Sequence, residues 1–127
     1  MANSLSIVKA AYEAFGRGDV PAILDLIADE VDWKLLGPPA IPYAGQRNSK
    51  EEVARFFAEV AQADDIQCFE PREFIEAGEH VTVLGFERFV SSPDARLVET
   101  EWIHVFTIHD GKVTRWRGCY DTAARFV

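Results

Sequence analysis

A chain of 127 residues with 48% hydrophobic and 27% charged residues has the make-up of one globular domain, spanning 1–127. Its net charge of −8 repels phosphate backbones and anionic lipid surfaces, so neither nucleic acid nor membrane is expected as a partner. Two cysteines, Cys68 and Cys119, are too few and too far apart for a disulfide framework and read as buried, reduced thiols. The stretch MANSLSIVKAAYEAF carries no basic region and no long apolar run, which predicts no signal peptide, no membrane span and a cytoplasmic location.

Leu5, Val8, Tyr12 and Phe15 recur at steps of three and four and predict a first helix with one apolar face. GRGD (Gly16 to Asp19) ends it, and Asp19 caps a second helix with Pro21 in its first turn. Ile23, Leu24 and Ile27 give that helix a buried stripe, and it is expected to end near Ala28–Glu30. VDWKLL (Val31 to Leu36) alternates and reads as a strand with Asp32 facing out. GPPAIPYAG (Gly37 to Gly45) has the prolines and glycines of a loop. Ser49 and Glu52 form a capping box for a third helix buried through Val53, Phe56, Phe57 and Val60.

From Ile66 the pattern turns to strands, predicted at Ile66–Ile75, His80–Val90, Arg96–His109 and Lys112–Tyr120. Gly78-Glu79 and Asp110-Gly111 are hairpin signals, and SSPDAR (Ser91 to Arg96) is a longer hairpin loop. Pro71 demands an edge strand or a bulge. Three helices followed by a long meander make an α+β fold, with the helices covering one face of a curved sheet whose mouth is a natural ligand site.

The residue with the most chemical interest is His104. Pairing across Asp110-Gly111 puts Trp102, His104, Phe106, Trp116, Gly118 and Tyr120 on one face. Glu99 and Glu101 fall on the other, where they could meet Arg115 and Arg117. An imidazole among aromatics can exchange a proton near neutrality, or it can be a core histidine satisfied by a carbonyl or a tyrosine. The paired carboxylates Asp29-Glu30, Glu51-Glu52 and Asp64-Asp65 sit at predicted element ends and read as solvated or capping groups. His80, His104 and His109 lack metal-ligand spacing, so no metal site is expected, and no phosphate loop or nucleophile elbow occurs.

The layout resembles the nuclear transport factor 2-like superfamily, in its SnoaL-like and ketosteroid isomerase-like branch. The resemblance rests on Tyr12 to Trp33, Pro42 to Phe57 and His104 to Ala123, in that order and at that spacing. It implies a cone-shaped, cystatin-like fold: three N-terminal helices on a strongly curved, mostly antiparallel sheet around an apolar cavity. Candidate lining residues are Tyr12, Phe15, Trp33, Leu35, Tyr43, Phe57, Trp102, Phe106, Trp116 and Tyr120, with His104 as the candidate catalytic group.

Enzymes of this branch work by placed acids and bases without cofactors, and many are homodimers through the outer sheet face. The aspartate base of ketosteroid isomerases falls on Lys34 or Leu35, and neither is a carboxylate. Their oxyanion tyrosine falls on Ala11, one residue before Tyr12, and their protonated aspartate falls on His104. The Arg–Asp relay of epoxide hydrolases is not evident. Standard steroid isomerisation is therefore not expected. Three readings follow: a cofactor-free isomerase, cyclase or dehydratase acting on a small, largely apolar carbonyl or polyketide-like substrate; a binding module for such a molecule; and a dimeric interaction protein.

Overall fold

A computed structural model describes residues 3–126. Helix α1 runs Ser4–Gly16, and Asn3 Oδ1 caps it by accepting from Ser6 N at 2.8 Å. Ile7, Val8 and Ala14 are buried, while Leu5, Tyr12 and Phe15 pack half-buried against the core. Asp19 caps α2 (Val20–Leu24) through Ala22 N at 3.1 Å.

That helix is shorter than its apolar spacing predicts. Ile27 belongs instead to strand β1 (Ile27–Leu35), which starts four residues before the expected Val31. The reason is non-local: β1 pairs in parallel with the last strand of the sheet, with Ile27 opposite Val113, and Val113 N donates to Leu26 O at 2.8 Å. A second strand, β2 (Gly45–Ser49), follows the proline loop and pairs with β1. Its sequence GQRNS carries no apolar alternation, because an edge strand needs none on its open side.

Ser49 then caps α3 (Lys50–Ala63), accepting from Glu52 N at 3.2 Å. The return bond of the box lands one residue early, on Asn48 N, at 2.7 Å from Glu52 Oε1. Four strands complete the sheet: β3 (Asp64–Ala77), β4 (His80–Ser91), β5 (Arg96–His109) and β6 (Lys112–Tyr120). A short α4 (Ala123–Phe126), with no signature in the sequence, closes the described chain.

The order is β2-β1-β6-β5-β4-β3, antiparallel except for β1 with β6. Both hairpin signals form turns. Asp110 and Gly111 have φ of 49° and 76°, the paired positive values of a type I′ hairpin. Pro71 lies on edge strand β3 beside a register shift, so its missing N–H leaves no ladder bond unmade.

One face of the sheet takes α1 and α3 and holds the core. The other carries charge, but not in the predicted pairs. Arg115 and Arg117 bind Asp32 of β1, at 3.5 and 2.9 Å, and Glu99 meets Arg88 of β4 at 3.4 Å. Register decides this: Arg115 and Arg117 stand opposite Thr107 and Val105 on β5, several residues past Glu101. Cys68 and Cys119 are free and half-buried rather than buried. Both sit on the parity that turns away from the core. No helix among the described residues is long and apolar enough to cross a membrane.

Candidate functional site

Two glycines shape the concave face. His104 pairs with Gly118, and Trp102 with Gly85. A Cβ on Gly118 would lie 2.4 Å from Trp116 and 3.1 Å from His104, and one on Gly85 would lie 2.2 Å from the Trp102 indole. The large rings therefore fold down into space that only glycine leaves. His104 stacks on Trp102 with ring centres 4.1 Å apart and meets Trp116 edge-on at 4.9 Å.

Helix α1 completes the enclosure. Tyr12 lies parallel to His104, with ring centres 5.9 Å apart and planes 7° from parallel, and its Oη is 2.7 Å from Nδ1. Burial pushes the imidazole down to about 3 and the Tyr12 phenol well above its ordinary range, so both are neutral at physiological pH. Among the described residues Nδ1 is the one partner of Tyr12 Oη, and with the phenol as donor its proton lies towards Nδ1. The imidazole proton then sits on Nε2, which has no protein partner among the described residues.

His104 lines a cavity of about 90 Å³ bounded mostly by apolar side chains. That is several times the space a single water needs. Tyr12, Phe15, Trp33, Leu35, Tyr43, Phe57, Phe106, Trp116 and Tyr120 line it as well. Trp102 does not. It is 1% exposed and packed behind His104, against Phe69 at 4.8 Å and over Gly85, so it is core that supports the imidazole.

The same cavity has a second polar region that sequence reasoning missed. Asp64, expected to be a solvated end residue, is 5% exposed and buried by α4. Arg125 Nη1 donates to its Oδ1 at 2.6 Å, and Tyr43 Oη donates to its Oδ2 at 2.5 Å. Tyr43 has spent its proton there, so Tyr120 Oη donates to Tyr43 Oη at 3.0 Å. Burial, the neighbouring tyrosine and the Asp64 charge hold the Tyr43 phenol far above its ordinary range. Burial likewise raises Tyr120.

Glu87 on β4 lines the cavity beside this cluster at 8% exposure, with no hydrogen-bond partner among the described residues. Burial first, and the negative Asp64 second, push its carboxyl up to about 8 against the opposing pull of Arg125. The signal for Glu87 was present in the sequence. It shares the parity of Val81, Val83, Gly85 and Phe89, the apolar face of its strand. Asp64 and Arg125 had no such signal, since they meet across the fold, with Tyr43 bonded to Asp64 and the Tyr43 and Phe89 rings beside Arg125.

A curled six-stranded sheet with helices in its hollow is the cone of the nuclear transport factor 2-like fold. Within that class, the sequence model of the SnoaL-like domain matches residues 8–116, and the chain belongs to that family. A protein of unknown function with this fold from Burkholderia pseudomallei is 30% identical, with a TM-score of 0.90 over 99% of this chain and 96% of its own. Another, from Burkholderia xenovorans, is 31% identical, with a TM-score of 0.86 over 95% and 91%. TerC, co-crystallised with polyporic acid, is 27% identical, with a TM-score of 0.84 over 97% and 95%. No curated protein sequence matches the chain.

Proposed function

We propose that this chain is a cofactor-independent acid–base enzyme of isomerase, cyclase or dehydratase type, acting on a small, largely apolar carbonyl compound. The observation that carries the reading is the 2.7 Å bond from Tyr12 to Nδ1 of His104. It fixes the tautomer and leaves Nε2–H as a donor in an apolar cavity. A substrate carbonyl bound there would have its oxygen hydrogen-bonded by a neutral imidazole. Negative charge developing on that oxygen strengthens the bond, which lowers the barrier to forming an enolate. TerC, a relative of this fold, was co-crystallised with polyporic acid, which supports a small-molecule ligand here.

Turnover of a panel of small ketones and enones tests this. His104→Gln is expected to lower any activity found by about a hundredfold or more, the usual weight of such a group. Retention within about threefold overturns the assignment.

One observation favours a second reading, a binding module without turnover. Lys34 and Leu35 stand where related isomerases hold their base, and Leu35 is buried among apolar groups. Native mass spectrometry of the purified protein separates the two, because a retained metabolite that is never converted supports binding alone. A second copy of the chain is the partner we propose for the outer face, where Ile103 and Val105 are 46% and 36% exposed. A monomer by light scattering at high concentration overturns that proposal.

A further inference from the structure

The part of the cavity that the proposed chemistry leaves unused is its far end, at Glu87. On β4, Val83 stands opposite His104 and Glu87 opposite Thr100, so the two polar residues lie four positions apart along the sheet. That is roughly 13 Å between backbone rows. Between Val83 and Glu87 that parity of β4 contributes only Gly85, which makes room for the Trp102 ring. Both residues line one continuous cavity.

Glu87 is more than nine-tenths buried and has no protein partner among the described residues. A buried carboxyl without a partner costs stability unless something else satisfies it. Its polar neighbours bond elsewhere: Arg125 Nη1 and Tyr43 Oη both donate to Asp64, and neither has a hydrogen bond to Glu87 among the described residues.

We propose that Glu87 is a ligand-binding donor opposite Nε2 of His104, and that the cavity selects flat molecules with an oxygen acceptor at each end, the class of diketones and quinones. This rests on the carbonyl-pocket reading above and extends it to the second end of the ligand. The sign follows from the charges around the carboxyl. The charges acting on it are those of Asp64 of β3 and Arg125 of α4; Tyr43 of the proline loop and Tyr120 of β6 line the same cavity, and Thr100 and Phe69 stand opposite Glu87 on the flanking strands. Asp64 is already the anion of that group, and a second anion beside it is disfavoured. Glu87 therefore holds its proton, and a protonated carboxyl offers an O–H to an acceptor. A donor at each end of the cavity matches a ligand that has acceptors and no protons at its ends.

The test uses para-diacetylbenzene, with an acceptor at each end, against acetophenone, with one, by isothermal titration calorimetry. At about pH 6 the wild-type chain is expected to bind para-diacetylbenzene about tenfold more tightly, the worth of one buried hydrogen bond. At about pH 9.5 Glu87 has lost its proton and that advantage disappears. Glu87→Gln, whose amide donates at every pH, keeps the preference at both. Glu87→Leu loses it at both. Equal binding of the two ketones by wild type overturns the Glu87 assignment alone. So does a pH-dependent preference in Glu87→Gln, or one that survives in Glu87→Leu. Binding of neither ketone overturns the carbonyl-pocket reading, and this proposal falls with it.

Discussion

The two polar ends of the cavity are built on opposite principles. At the His104 end two neutral groups share one hydrogen bond, on a stack of rings, with no charge nearby. At the Asp64 end a full ion pair is buried, surrounded by two tyrosines and a third ionisable group. The first is held by packing: remove the proton donor and the rings still stack. The second is held by charge compensation, and removing either partner leaves the other buried without its counter-ion. One cavity thus combines a site tolerant of change with one that is not.

The largest expected effect breaks the charged end. Arg125→Ala leaves the buried Asp64 carboxyl without its partner, and the side chains of that pair are only 5% and 2% exposed. The loss of unfolding free energy in urea is expected to be about 3–5 kcal/mol. A loss below about 1 kcal/mol would mean that water reaches Asp64 and that this end is open.

The dependence of stability on pH separates the ends next. His104 is neutral in the fold down to about 3, while the unfolded chain takes up that proton near 6.5. Its contribution therefore falls as pH drops from about 6.5 towards 3. Glu87 keeps its proton in the fold up to about 8 and loses it near 4.5 when unfolded, so its contribution falls as pH rises through that window. Each slope approaches about 1.4 kcal/mol per pH unit. They oppose each other between about 4.5 and 6.5, where these two groups leave stability flat. Glu87→Gln should remove the decline between about 6.5 and 8, and His104→Gln the acid-side decline between about 4.5 and 3. Urea melts of the three proteins across that range check both, and unchanged slopes would contradict the burial assigned to these groups.

The smallest effect probes the neutral end. Tyr12→Phe removes the donor to Nδ1 and keeps the ring stack, so a loss of about 1–2 kcal/mol is expected. Imidazole nitrogen shifts in NMR report the tautomer directly. In wild type the proton belongs on Nε2, and in Tyr12→Phe a mixture of tautomers is expected. An Nδ1 proton in wild type would reverse the donor assignment and take the proposed carbonyl contact with it.

The unequal legibility of the two ends in the sequence has the same origin as their difference in construction. His104 and its aromatic neighbours announce themselves by period two, because one strand and one tight Asp-Gly turn set which residues share a face. Glu87 was also marked by its parity, an acidic residue in the apolar register of its strand. Asp64 carried no mark. It stands at the junction of a helix and a strand, which is where solvated carboxylates belong, and the arrival of Arg125 from the far end of the chain, with Tyr43 from the proline loop, makes it a core residue.

What the sequence by itself determined is what local rules control: three helices, two of them with their caps, four long strands, their hairpins, the inward face of β5 and β6, and the family. Those features depend on backbone geometry and on side-chain period within a few residues. Tertiary structure alone decided the rest. It turned Ile27 from helix into strand by pairing it with Val113, formed β2 from a polar stretch, moved Trp102 behind the cavity wall, and sent Arg115 and Arg117 to Asp32. It also buried Asp64. Each of those outcomes depends on a partner tens of residues away, and the energy of a pairing, a stack or an ion pair belongs to both members and cannot be read from one.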